Sequence, residues 1–174
     1  MELEKIFGLP AHPLLVHAPV VLIPLAGLIA IVFAFKPAWL DRFGWGLVVL
    51  SGVGALGGIL AAGSGEGLES LQNEAETAAR EDHFLLGEVA RNLGIVFFLI
   101  VLAVVLVRYL ARKKAATEGV WSKANSKGAA IVMSVLLVAS AAAATVTISQ
   151  AGHQGAKLVW EDEGKPESDT GDGD

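Results

Sequence analysis

Four histidines, His12, His17, His83 and His153, are the residues of this 174-residue chain best able to do chemistry. The chain has no cysteine, and Met1 and Met133 are its two methionines. Disulfides, thiolate metal centres and the Cys-x-x-Cys-His attachment of c-type haem are thereby excluded. Neutral imidazole ligates zinc, copper, nickel and iron. Axial histidines on facing helices also hold haem inside helix bundles. A hydrolytic zinc site adds a general-base glutamate, as in H-E-x-x-H. Neither that motif nor a Glu-x-x-His pair of the di-iron type occurs in the sequence. The inventory slightly favours haem b over a transition metal such as zinc or copper.

The elements that carry these residues are membrane spans. Hydrophobic residues make up 53% of the chain, and its mean hydropathy is +0.57. More tellingly, the apolar residues fall in long uncharged runs, and about 20 such residues are needed to cross the hydrocarbon layer. Four runs qualify. The expected fold is an all-α membrane protein, a four-transmembrane-helix bundle within residues 1–160, with spans near 13–35, 45–63, 83–110 and 128–151. The first run lacks a basic leader and an A-x-A-like cleavage site and is read as a retained helix. Pro13 suits its first turn, and Pro19 and Pro24 should bend it. Residues 64–82 read as an amphipathic connection on the outer face, with Leu68, Leu71, Ala75 and Ala78 at helical spacing. Residues 161–174 are acidic, nearly devoid of apolar side chains, and expected to be disordered.

Charge sets the expected orientation. Lys36 and Arg42 lie in 36–44, and Arg108, Arg112, Lys113, Lys114, Lys123 and Lys127 lie in 108–127. Both segments should face the cytoplasm by the positive-inside rule, leaving both termini extracytoplasmic in a multi-pass protein of the bacterial inner membrane. The histidines then all fall at outer helix ends, on three of the four spans. Histidine also suits a membrane interface as an amphipathic ring, so interface anchoring is the rival reading of each. His17, about one turn inside an apolar helix, is the hardest to explain that way, because ionisable groups at that depth usually face the bundle interior. His12 and His17 are five residues apart, about 140° around a helix. With Pro13 opening the helix, His12 would fold back from the arm to the rim of a site formed by His17, His83 and His153. The pair expected to hold a haem is His17 with His153. Gly152 and Gly155 beside His153 suggest a left-handed helix end.

Two further features bear on that site. Glu88 with Arg91 (i,i+3) and Asn92 (i,i+4) share a face of the third span. The simplest reading is an ion pair that fixes the helix; the alternative is support for a haem propionate, a proton path or a metal ligand. The second span carries Gly54 and Gly58 as a GxxxG pair, with Ala62 a turn further. Close helix packing is the simpler explanation, and room for a flat ligand the other.

The His12-Pro13-Leu-Leu-Val-His17-Ala-Pro19 opening resembles the His-Pro-x-x-x-His-x-Pro motif of a bacterial membrane-protein family whose shared domain has no assigned function. Gly152-His153-Gln-Gly155-Ala-Lys-Leu-Val159-Trp160 is similar to that family's closing motif, and His83 matches a histidine opening its third helix. The resemblance covers about residues 8–160. Ala18 stands where the family usually has phenylalanine, and the acidic tail replaces a glycine-rich ending. The resemblance implies a four-helix inner-membrane domain, and fusion of some relatives to Rieske-type or cytochrome c modules implies redox work. The expectation is a haem-b-binding electron-transfer subunit rather than a stand-alone enzyme. It would sit in the lipid bilayer with respiratory or other redox proteins as partners, and no nucleic acid. The rivals are a histidine-based metal-binding or transport protein and a non-catalytic scaffold or assembly partner of a respiratory complex. Against transport, the fourth span and most of the second lack ionisable groups.

Overall fold

A computed structural model of the chain describes residues 5–6, 9–69, 74–113 and 119–163. The N-terminal arm pairs its backbone as two short antiparallel strands, β1 (Lys5–Ile6) and β2 (Leu9–Pro10), in the register Lys5↔Pro10 and Ile6↔Leu9. Five helices follow: α1 (Ala11–Phe35), α2 (Pro37–Glu69), α3 (Glu74–Lys113), the single-turn α4 (Val120–Ala124) and α5 (Lys127–Glu163). The four long ones contain stretches long and apolar enough to span a membrane: His12–Phe35, Pro37–Gly65, Asp82–Lys113 and Lys127–Leu158.

The helices are longer than the apolar runs, because a run measures only the hydrocarbon crossing, and a helix continues wherever nothing stops it. Segment 36–44, expected as a loop, is helical from Pro37 onward. Lys36 alone separates α1 from α2. Its N–H bonds back to the Val32 and Phe33 carbonyls, and its carbonyl receives Trp39 N–H at 2.8 Å, so it ends one helix and starts the next. Proline at a first helical position loses no bond, since the first four N–H groups have no intrahelical partner. The same tolerance lets α1 begin at Ala11, two residues ahead of Pro13. The expected amphipathic connection is in backbone terms the end of α2 and the start of α3; side chains 66–81 and residues 70–73 lie outside the described residues. Of the acidic tail, residues 164–174 also lie outside them.

The long helices close a ring in the order α1–α2–α3–α5, each packed on its two neighbours. Ile23, Ala26 and Ala30 of α1, Leu47 of α2, Phe97 and Val101 of α3, and Leu137, Ala141 and Ala144 of α5 fill its interior. Large apolar side chains also point outward, among them Val21, Leu28, Val49, Leu56, Leu99, Ile131 and Val135. Buried small residues inside and bulky apolar ones outside are what a bundle dissolved in lipid requires. Glycine sets how near the helices come. A Cβ on Gly27 would lie 2.6 Å from Thr145 Oγ1 across α1–α5, and one on Gly54 2.8 Å from Ile23 Cδ1 across α1–α2. A Cβ on Gly57 would lie 3.0 Å from Pro19 Cδ. Gly54 and Gly57 are therefore occupied in helix packing, whereas a Cβ on Gly58 would meet nothing nearer than 3.9 Å and one on Gly63 nothing within 4 Å. Ser134 Oγ adds a polar link between helices, donating to the Ala34 carbonyl at 2.9 Å. Ser51, Ser140 and Thr147 donate to carbonyls of their own helix, three or four residues back, which removes a bare hydroxyl from an apolar setting.

At the end of the bundle opposite His12, the Arg108 guanidinium grips Asp41 through two bonds, Nε to Oδ1 at 2.6 Å and Nη2 to Oδ2 at 2.8 Å. Arg112 adds Nη2 to the Asp41 carbonyl at 3.1 Å. Nearby, Asn125 Nδ2 caps the Ala111 carbonyl at 3.2 Å, and Ser126 Oγ accepts Ala129 N–H to open α5.

A candidate histidine site at one end of the bundle

His12 lies in the first turn of α1 and reaches over α2. Its Nδ1 is 2.9 Å from the Ala61 carbonyl oxygen and 3.1 Å from Ser64 Oγ. The buried Ser64 hydroxyl itself donates to the Ala61 carbonyl at 2.8 Å. A carbonyl can only accept, so Nδ1 carries the proton and, in the neutral ring, Nε2 carries the lone pair. The His12 ring also covers Gly65, where a Cβ would come within 3.2 Å of Cε1. Glycine at 65 is thus what lets the imidazole lie on α2.

His83, toward the N-terminal end of α3, meets His12 edge to face, with ring centroids 6.4 Å apart and planes at 89°. Its other side rests on α5, where a Cβ on Gly155 would lie 2.9 Å from His83 Cε1. Four helices thus contribute to one cluster: a ring from α1, a hydroxyl and carbonyl from α2, a ring from α3 and a bare backbone from α5. The two imidazoles join helices that are diagonal in the ring and do not pack closely along their lengths.

This arrangement differs from the expected one. His12 sits inside the helix rather than folding back from the arm, so the angular argument now selects His12, not His17, as the inward residue. His17 is exposed, and its Nδ1 is bonded to the Pro13 carbonyl one turn back. His153 is exposed as well. The glycines beside it do not end the helix: α5 runs on to Glu163, and among the described residues the one glycine with positive φ is Gly119, at 115°. Gly155 serves close approach to His83, whereas a Cβ on Gly152 would meet Val20 at an ordinary 3.4 Å. Glu88 and Arg91 pair at 2.9 Å along α3, and Arg91 Nε donates to Asn92 Oδ1 at 3.3 Å. Among the described residues, no three His, Asp or Glu side chains gather as a metal-holding group.

Sequence reasoning missed Ser64 and the Ala61 carbonyl, which fix the His12 ring. The available signal was slight: a serine that directly continues the small-residue run Ala61-Ala62-Gly63, followed by a glycine.

The family model described as a predicted membrane protein, DUF2231, matches residues 8–166. The chain belongs to this family. The match begins just ahead of α1 and ends beyond α5, so all four spans of the DUF2231 domain and all four histidines lie inside it. No curated protein and no solved structure matches the chain.

Proposed function

We propose that this DUF2231 domain is a binding subunit of the bacterial inner membrane that holds a transition-metal ion at its outer face through His12 and His83. The observation that carries the reading is the contact of His12 Nδ1 with the Ala61 carbonyl oxygen, which assigns the proton to Nδ1. Histidines that ligate metals usually donate the other ring N–H to a backbone carbonyl or carboxylate, which orients the ring and raises its basicity. His12 has that arrangement, with Nδ1–H on Ala61 and Ser64 and its basic nitrogen left for a ligand beside a second imidazole. The outward direction follows from the basic residues of segments 36–44 and 108–127, which belong in the cytoplasm. A redox-active ion such as copper would give the site the electron-transfer role that the family resemblance implies.

The second reading is haem b. Two imidazoles from diagonal helices support it, because a porphyrin held in a bundle takes its axial ligands from opposite sides. The close seat of His83 on Gly155 and the tight packing of α1 against Gly54 and Gly57 favour the ion.

The test is metal analysis and an optical spectrum of the full chain purified in detergent. Copper or zinc should bind stoichiometrically to the wild type and lose affinity in His12→Ala and in His83→Ala. His17→Ala and His153→Ala should bind as the wild type does. Ser64→Ala should weaken binding about 10–100-fold, the usual cost of removing a group that orients a ligand. A Soret band that vanishes in the same two histidine variants selects the haem. Wild-type metal affinity in His12→Ala overturns the site.

A further inference from the structure

At the other end of the bundle, three side chains of α3, Tyr109, Arg112 and Lys113, line a shallow, open cleft of about 390 Å³. Tyr109 precedes Arg112 by three residues and Lys113 by four, so the phenol lies on the helix face shared by both cations. Lys113 Nζ is 5.9 Å from the Tyr109 ring centroid. On its far side Tyr109 meets Trp45 of α2, ring centroids 6.3 Å apart at 74°.

The charge balance here is uneven. Asp41 is the carboxylate that Arg108 and Arg112 share, and Arg108 already takes both of its oxygens. Arg112 reaches Asp41 at a longer 3.5 Å and is 48% exposed, so one guanidinium is surplus to the carboxylate. Lys113 adds a second cation. Over segments 36–44 and 108–127 the only acidic residues are Asp41 and Glu118. Depth is marked independently. Trp39 and Trp45 are about half exposed and Tyr109 is 41% exposed, and half-exposed indole and phenol rings at a span's end mark the headgroup level. Lys36 stacks on Trp39 there, 4.6 Å from its centroid.

We propose that this cleft binds the phosphate headgroup of an anionic phospholipid. Arg112 would grip the phosphate with the donors that Asp41 leaves over, since a guanidinium offers five in a planar fork suited to phosphate. Lys113 adds a point charge, and Tyr109 lines the cleft beside it. Basic clusters just beyond the positive-side end of a span attract such headgroups. A lipid, rather than a soluble phosphate compound, fits a cleft at headgroup depth with apolar helix faces running away from it.

The experiment is native mass spectrometry of the full chain in an uncharged detergent, offered phosphatidylglycerol or phosphatidylcholine of the same acyl chains. The wild type should retain phosphatidylglycerol in preference. Lys113→Gln should reduce the preference about fivefold, and Arg112→Gln/Lys113→Gln by about that factor again. Lys123→Gln/Lys127→Gln should keep it. Lys113 makes no contact with the Asp41 pair, so its single variant tests the site even if the Arg112 change loosens the fold. Equal loss in the Lys123/Lys127 control would mean a diffuse basic field and overturn the proposal. So would abolition of the preference by millimolar inorganic phosphate, which would mark a soluble-phosphate site. Equal retention of the two lipids by the wild type refutes it outright.

Discussion

Removing the Asp41 carboxylate should cost more stability than removing either arginine that binds it. Asp41 and Arg108 are 19% and 20% exposed, and two short charge-assisted bonds join them. Exposed ion pairs contribute about 0.2–1 kcal/mol, whereas stripping one partner from a buried pair costs about 3–5 kcal/mol. A pair four-fifths buried falls between these limits, so Asp41→Ala should destabilise by about 2–3 kcal/mol. Arg108 would then be left with no anion in a half-dry setting. In Arg108→Ala, by contrast, Arg112 is already 3.5 Å from the carboxylate and can take it over, so the loss should be nearer about 1–2 kcal/mol. Arg112→Ala, removing a half-exposed side chain, should cost less than about 1 kcal/mol. Reversible unfolding in mixed micelles, run on the singles and on Asp41→Ala/Arg108→Ala, gives the coupling energy, expected at about 1–2 kcal/mol. An Asp41→Ala variant as stable as the wild type, or a coupling energy near zero, would refute the reasoning.

Gly27→Ala should destabilise by about 1–3 kcal/mol through overpacking, and Thr145→Ala in the same chain should recover most of it, as thermal melts of the three variants can show. Glu88→Gln should cost less than about 1 kcal/mol, because its carboxylate is mostly exposed; a larger loss in the same melts would mean that the pair anchors α3. A single cysteine placed at Gly119 should resist an impermeant maleimide added outside intact cells, and one placed at His153 should react, by the basic-residue asymmetry. Reaction at 119 from outside would invert the proposed orientation.

The four spans were legible because lipid imposes a length of apolar sequence that little else produces. Their ends were not, because helix geometry does not stop where hydrocarbon stops. Pro13 shows the limit: proline is tolerated anywhere in the first turn, so it marks the neighbourhood of a helix start and not the residue. That shift of two residues was enough to exchange the places of His12 and His17. The glycines at 152 and 155 carried an ambiguity of another kind. A residue without a side chain permits a left-handed turn and also permits contact, and the choice depends on what faces it. Val20 and His83 do, from other helices. Asp41 was silent for a related reason: its partner lies 67 residues away, and the segment holding it read as a loop. The Glu88–Arg91 pair could be read directly, since a three-residue spacing on one helix requires no knowledge of the rest of the fold.

The ring order of the helices has a bearing on how the protein is made. The first and last spans are neighbours, so three helices can leave the translocation machinery while one seam of the ring still faces lipid. Along that seam lies Gly27, shaped to receive Thr145, which is not synthesised until the chain is nearly finished. The Ala34 carbonyl likewise waits for Ser134. The His83 ring, too, lacks its seat on Gly155 until the last turns of α5 insert. The histidine cluster is therefore a late product of biosynthesis, complete only once the seam has closed, and any group it holds would be loaded into a finished bundle rather than a growing one.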